Sequence, residues 1–387
     1  ARHGLELDKD MENLPPMHWT PKIHKTPVGS RFIIGSKFSS LKPLGKNMTK
    51  IFKVIFHHKR RYFRKAGFFS GIKNFWCVDS NAEITETFDR ISHKNNAKSI
   101  STFDFSTLYT KIPHDKLIEV LSSIVDSTYN DTTRKYMSVG NKRAYWVKGI
   151  RNTRFLYSMN VVKDCLKFLI KNAYFRVGNL VFRQVIGIPM GSDPAPFFAN
   201  LFLFFFESKW INECKKANYG KAKRFLNVFR YIDDLLTLND DDEFERSFPD
   251  IYPPELVLKK ENANNNHATF LDLDIMISND RFDYKLYDKR NSFDFYIVRF
   301  PYLCSNMPSK MFYSCITAEI LRICRASIQY NYFISAVDPF LKRMTRQGAK
   351  RGGVKRSLTK LLYRHTNSFK KYGKQNKVFL DILINLL

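Results

Sequence analysis

Two adjacent carboxylates, Asp233 and Asp234, stand between the short apolar runs Val228–Tyr231 and Leu235–Leu238. The pattern reads as a strand, a tight bend at Asp233-Asp234 and a returning strand. Neighbouring carboxylates repel, and burying them is costly without compensation. A divalent cation removes that cost; a hairpin whose turn is acidic because turns favour Asp is the plain alternative. A third carboxylate, Asp104, lies near the end of the strand-like run Ser99–Phe105. Alone it reads as a helix cap or turn residue. With Asp233-Asp234 on a neighbouring hairpin, the three can converge on a pair of octahedral, oxygen-ligated ions. One ion then lowers the pKa of a primer 3′-hydroxyl and the other holds a triphosphate and its leaving pyrophosphate, which is nucleotidyl-transfer chemistry.

Several elements must position these residues. Met17–Ile34 reads as strand, turn and strand, with Pro27 and Gly29 supplying the turn. Lys22, Lys25 and Arg31 fall near one end of that hairpin and suit a triphosphate clamp, Arg forking onto phosphate oxygens and Lys acting as a point charge. Leu44–Lys65 reads as a basic, partly amphipathic helix carrying Lys50, Arg60, Arg61 and Arg64, of the kind that tracks a nucleic-acid backbone without reading sequence. A turn through Ser106–Tyr109 leads from the Asp104 strand to a helix from His114 to Val125. Asn130–Thr153 is an ill-defined polar connection, with Tyr145-Trp146 a candidate nucleic-acid contact, and a helix over Asn160–Asn172 and a hairpin turning at Gly178-Asn179 follow. In the loop Gly187–Pro194, two glycines permit the close backbone approach that a base pair or sugar needs; an ordinary loop before a buried helix is the alternative. An apolar helix then runs to about Trp210. Asp240–Glu243 is expected to be a solvated helix start. Leu256–Lys260 and Thr269–Ile275 read as strands; Asp272 and Asp274 alternate with apolar residues, share one solvent face and are assigned no catalysis. Strands continue over Phe282–Phe300, and the chain is helical from Lys310, with Ser357–His365 a basic helix.

The chain has 387 residues and a formal net charge of +28, enough length for about two to three domains or subdomains. Such a charge calls for a polyanionic partner or a membrane surface. No Asp or Glu occurs from Asn13 to Val78 or from Pro339 to Leu380, while Lys and Arg recur in both stretches. Two basic arms around a more acidic middle fit a molecule that grips a polyanion from two sides. The longest apolar run, Phe197–Phe206, contains Asn200 and is too short to span a bilayer. The chain opens at Ala1, so upstream sequence is expected to be missing. None of the six cysteines forms a Cys-x-x-Cys pair, which argues against a structural zinc site and for free thiols in a reducing compartment.

Taken in order, these pieces resemble the reverse transcriptase family over most of the chain. The Lys22…Arg31 hairpin looks like the motifs that clamp the incoming triphosphate. Phe103–Tyr109 resembles the first palm motif, Gly187–Ser192 the next, and Tyr231-Ile232-Asp233-Asp234 the central one. Leu258-Lys259-Lys260 and Phe270-Leu271-Asp272 resemble the two that follow. The wording Pro21–Lys25, Ser106–Pro113 and Phe270–Asp272 is typical of Penelope-like retroelements, relatives of telomerase, and Arg346-Gln347-Gly348 sits where their thumb carries an Arg-Gly turn.

The resemblance implies an α+β right-hand polymerase fold. Fingers and an N-terminal basic region take residues 1–98, a palm of antiparallel sheet with helices on one face takes 99–300 with finger insertions around 126–186, and a helical basic thumb takes 301–387. It implies an RNA-directed DNA polymerase using two Mg²⁺ ions, for which Mn²⁺ substitutes. Asp104, Asp233 and Asp234, with the Phe105 carbonyl, hold the metal. Lys22, Lys25, Arg31, Met190 and Gly191 lie at the nucleotide, and Lys259 or Lys260 protonates the pyrophosphate. Tyr109, five residues after Asp104, falls where the family sets a ring beneath the sugar and collides with a ribose 2′-hydroxyl. Arg343, Arg346, Lys350, Arg351, Lys355 and Arg356 contact the template–primer duplex. Partners are template RNA encoded by the element, primer or target DNA, and dNTPs, at the chromosome in the nucleus, with target-primed synthesis; no membrane is involved and no oligomer is indicated. Met190 stands where many family members have Gln, so a Gln contact to the nucleotide is lost or replaced. Nothing after Lys342 resembles the GIY-YIG endonuclease that such elements often carry. A non-catalytic RNA-binding scaffold, a viral RNA-dependent RNA polymerase and telomerase itself are the rival readings.

Overall fold

The longest apolar run of the sequence lies inside one helix, Ala195–Ala217, with Phe198, Leu201, Phe202, Leu203 and Phe204 all buried. A helix that is apolar all round must be covered on every side. The computed structural model describes residues 14–23, 27–149, 156–189, 191–295 and 297–386. Their packing forms two compact units, each with its own core. The first runs to Asp79 and resumes over Phe103–Glu261; the second joins Ser80–Thr102 to the chain from Asn262 onward. These units cut across the boundaries at residues 98 and 300 expected from the sequence.

In the first unit, helices Lys42–Ser70 and His114–Asn130 pack on the apolar helix, and Met159–Lys171 packs on those two. Lys42–Ser70 turns Met48, Ile51, Phe52, Ile55 and Phe56 inward at three- and four-residue spacing. Phe52 meets the Phe198 ring edge-on at 4.8 Å, and each such buried side chain is worth about 1.5–3 kcal/mol. Gly71, at φ +65°, ends the helix as a left-handed cap. A four-stranded sheet lies in the order Leu258–Lys260, Ile100–Phe105, Asp234–Leu238, Val228–Tyr231, with each outer pair antiparallel. Phe103 and Phe105 face the core from this sheet, against Phe244 and Tyr252 at 5.4 and 5.0 Å.

Two exposed hairpins belong to the same unit. Met17–Lys22 pairs with Gly29–Ile34, and Tyr174–Val177 with Leu180–Arg183 around Gly178 at φ +58°. The connection left undefined by the sequence supplies two strands, Tyr136–Val139 and Ala144–Val147, of a three-stranded antiparallel sheet that Leu156–Ser158, just beyond it, completes on the other side of Tyr136–Val139. Strands of four, four and three residues are too short to print a period. Trp146 packs edge-on against Tyr129 at 4.8 Å, so its ring is engaged by the chain itself rather than presented with Tyr145.

The second unit sets a three-stranded antiparallel sheet, His267–Phe270, Leu273–Ser278 and Arg281–Leu286, against helix Ala82–Ser92, whose Phe88 meets Phe282 at 4.9 Å and Tyr284 at 5.5 Å. The single strand expected over Thr269–Ile275 is a hairpin instead. Leu271, at φ +54°, turns the chain, and Asp272 pairs with Arg322. The strand pattern stops at Leu286 rather than continuing to Phe300. Helices Ser309–Arg325, Tyr330–Arg346, Arg351–Arg364 and Asn376–Asn385 close around Phe312, Ile320, Phe333, Leu341 and Leu358. Among the described residues no helix is long and apolar enough to cross a membrane.

Candidate active site

The acidic hairpin is tighter than its sequence suggests. Asp234 pairs with Tyr231, so the two-residue turn is Ile232-Asp233, and Asp234 opens the returning strand. Ile232 sits at φ +58°. A two-residue hairpin favours glycine at a first position of positive φ, and a β-branched residue there is strained by about 1–3 kcal/mol. Two bonds hold the strained turn: the Phe105 amide donates to the Asp233 carbonyl at 3.3 Å, and Arg230 Nη1 donates to the Ile232 carbonyl at 3.0 Å. The first ties the turn to the strand that carries Asp104.

Burial pushes the Asp233 carboxyl above its usual range, and the Asp104 charge acts in the same direction; Arg31 and Arg230 pull it back. Asp104 and Asp233 thus form a mutually repelling, partly buried oxygen-donor pair. A divalent cation fits such a pair, because it offsets both burial and repulsion. Asp234 is the neighbouring candidate donor; among the described residues no three His, Cys, Asp or Glu side chains are gathered into a metal-holding cluster.

Strand register separates the two lysines. Lys259 lies opposite Asp104, so the two share a face of the sheet. Lys260 lies opposite Phe103 and is taken up by Asp242 and Glu245, at 3.5 and 3.3 Å. Lys259 is therefore the lysine placed beside the carboxylates. Arg31 is within electrostatic reach of Asp233, and Lys22 shares its face of the first hairpin, because Thr20 pairs with Arg31 and Lys22 with Gly29. Lys25 and Met190 lie outside the described residues. Tyr109 is partly buried, and its hydroxyl is pushed up to about 12 by burial, with the Asp233 charge adding to it.

The glycine loop makes its close approaches to the chain's own backbone, where the sequence reading put a base pair or sugar. A Cβ on Gly187 would stand 2.3 Å from the Tyr109 carbonyl oxygen, and Ile188 N bonds that oxygen at 3.0 Å. A Cβ on Gly191, at φ +97°, would stand 1.7 Å from the Ile34 carbonyl oxygen. The loop clasps Tyr109 on one side and the end of the first hairpin on the other.

Sequence reading missed the group beneath the turn. Arg230 is fully buried on its strand. Its Nε and Nη2 fork onto the Glu207 carboxylate, the latter at 3.2 Å; Nη1 reaches Asn200 Oδ1 at 2.8 Å and Nη2 reaches Asn200 O at 3.2 Å. Tyr252 Oη donates to Glu207 Oε1 at 2.7 Å. Burial works against the guanidinium charge, and the Glu207 carboxylate favours it. The available signal was a lone Arg inside an apolar strand, with Asn200 and Glu207 in or beside an apolar run.

The basic candidates divide by what they touch. Lys50 donates to the Gly140 carbonyl at 3.0 Å and Arg60 pairs with Asp79, so both serve the fold; Arg61 and Arg64 are exposed. In the second unit Arg346, Lys350, Arg351, Lys355 and Arg356 are exposed, whereas Arg343 is half-buried. Lys310, Arg356, Lys360 and Arg364 line one groove between helices Ser309–Arg325 and Arg351–Arg364, and no Asp or Glu lines it.

No protein-family profile matches this chain, and no curated protein matches it. Solved structures do. The telomerase of Candida albicans, in complex with a TWJ fragment of telomeric RNA, superposes with a TM-score of 0.62 at 11% identity, over 98% of this chain and 64% of that one. Apo telomerase of Candida tropicalis gives a TM-score of 0.50 at 14% identity, over 98% of this chain and 63% of that one. The chain spans a little under two thirds of the length of these telomerase chains. At such identities the likeness is one of fold: this is a mixed α/β chain with antiparallel sheets, similar in fold to telomerase.

Proposed function

We propose that this chain is an RNA-directed DNA polymerase, the reverse transcriptase of a Penelope-like retroelement. The observation that carries the reading is the pairing of Asp104 with Asp233 on a strained hairpin, with Arg31, Tyr109 and Lys259 around them. The telomerase-like fold supports it. In hand-like terms the first hairpin and long basic helix belong to the fingers, the four-stranded sheet to the palm and the C-terminal helices to the thumb.

The reaction is in-line attack of a primer 3′-hydroxyl on the α-phosphate of a dNTP, with pyrophosphate leaving. Two Mg²⁺ ions, or Mn²⁺ in their place, supply the charge neutralisation this needs. Asp104 and Asp233, with Asp234 and the Phe105 carbonyl, would hold them. Arg31 and Lys22 grip the triphosphate as fork and point charge, with Lys25, Met190 and Gly191 the further nucleotide contacts proposed. Lys259 Nζ holds a proton for the departing pyrophosphate. The Tyr109 ring lies under the sugar and excludes a 2′-hydroxyl. Most of the acceleration is positioning and preorganised charge. Template RNA of the element and primer DNA lie along the exposed cations, and the chain acts in the nucleus by target-primed synthesis.

The test is Asp104→Asn. Metal-dependent primer extension should fall at least about a thousandfold, while affinity for an RNA–DNA duplex stays within a factor of about two. Extension that survives the substitution would overturn the reading, and robust binding without extension in the unmodified protein would favour a non-catalytic scaffold.

A further inference from the structure

Arg230 is committed on every side. Its five N–H donors meet five acceptors, two on Glu207, two on Asn200 and one on the Ile232 carbonyl. Its backbone is gripped as well, its amide donating to Trp76 O and its carbonyl accepting from Val78 N, both at 2.9 Å. Glu207 is in turn fixed by Tyr252. A buried ion pair alone would stabilise little, since two apolar side chains of similar volume often serve as well. The fifth donor is different in kind. It ends on the one residue of the acidic turn whose backbone is strained, and that residue immediately precedes Asp233. Strain of this sort persists only where the surroundings over-determine it.

We propose that Arg230 is a positioning residue for the reaction: its bond to the Ile232 carbonyl keeps the strained turn in the conformation that sets Asp233 against Asp104. Glu207, Asn200 and Tyr252 form the frame that aims it. The helix Ala195–Ala217, which supplies Glu207 and Asn200, is thereby a support for the carboxylate pair as well as a core element. This inference rests on the polymerase reading and concerns how its site is held.

The experiment compares the unmodified protein with Arg230→Lys and with the double variant Arg230→Met/Glu207→Leu. It measures thermal midpoint, primer-extension kcat and KM, and Mn²⁺ affinity by electron paramagnetic resonance. The double variant removes both buried charges together, so its midpoint should stay near that of the unmodified protein. Its kcat should still fall about 100-fold, the cost of about 1 Å of misplacement, with KM for dNTP within about twofold. Mn²⁺ affinity should fall about tenfold or more. Arg230→Lys keeps the charge without the fork and should show the same kcat and Mn²⁺ losses. A double variant that regains full kcat and Mn²⁺ affinity along with its midpoint would reduce Arg230 to a stability residue and overturn the proposal, as would an Arg230→Lys variant of full activity. Failure of both variants to fold would also overturn it. If the unmodified protein extends no primer, the polymerase reading fails; the positioning claim is then decided by Mn²⁺ affinity alone, weaker in both variants or not.

Discussion

Asp233 sits where its ionised form works against the stability of the fold. Burial raises its pKa and Asp104 raises it further. A carboxyl whose folded pKa lies above its unfolded value destabilises the fold once ionised, from the unfolded pKa upward. Asp233→Asn should therefore raise the thermal midpoint at neutral pH in the presence of a chelator, and Mg²⁺ should narrow the gap by stabilising the unmodified protein. A lower midpoint in chelator would contradict the electrostatic account. Two neighbouring lysines separate at the same scale. Lys259→Ala should slow extension by about 100-fold, the lower range for loss of a general acid. Lys260→Ala gives up only exposed ion pairs with Asp242 and Glu245 and should cost about 0.2–1 kcal/mol in denaturant unfolding. Equal rates for the two variants would remove Lys259 from the mechanism. Tyr109→Ala should raise ribonucleotide incorporation about tenfold or more, measured as the dNTP/NTP ratio; an unchanged ratio would end the sugar-gate reading.

At the scale of elements, the loop holding Gly187 and Gly191 works as a clasp. Its glycines leave room for the carbonyls of Tyr109 and Ile34. Gly191→Ala places a Cβ against the Ile34 carbonyl at a positive φ, so it should destabilise the chain by more than about 1 kcal/mol. The first hairpin should loosen with it, seen as faster amide exchange over Gly29–Ile34. Unchanged exchange there would show that the clasp does not hold the hairpin. Much of this level was legible in the sequence. The apolar runs about Asp233-Asp234 give the hairpin, and the short run Ser99–Phe105 gives the strand of Asp104. What stayed hidden depends on partners distant in sequence. Glu207 and Asn200 are 23 and 30 residues from Arg230, so nothing beside Arg230 in the chain marks it as a buried keystone. Lys259 and Lys260 are equivalent until register sets one opposite Asp104. The turn at Leu271 was missed because a left-handed Leu carries no turn signature.

Across the whole molecule, the net charge of +28 is the dominant fact. It resides partly in cations that the fold consumes, such as Lys50 and Arg60, and partly in exposed ones such as Arg61, Lys355 and Arg356. If the exposed set neutralises six to ten phosphates, duplex affinity should fall on the order of 10³–10⁵-fold between about 50 and 200 mM salt. A flat dependence in a filter-binding titration would contradict a polyanion grip. The charge asymmetry was readable from sequence alone, but the groove joining Lys310 to Arg356, Lys360 and Arg364 needed two helices brought side by side.

The most direct test of the central claim is primer extension on an RNA template with Mg²⁺, supplying dNTPs or NTPs, with the unmodified protein beside Asp233→Asn. Long DNA products are expected from the unmodified protein alone. RNA products, or DNA products undiminished in Asp233→Asn, would contradict the claim.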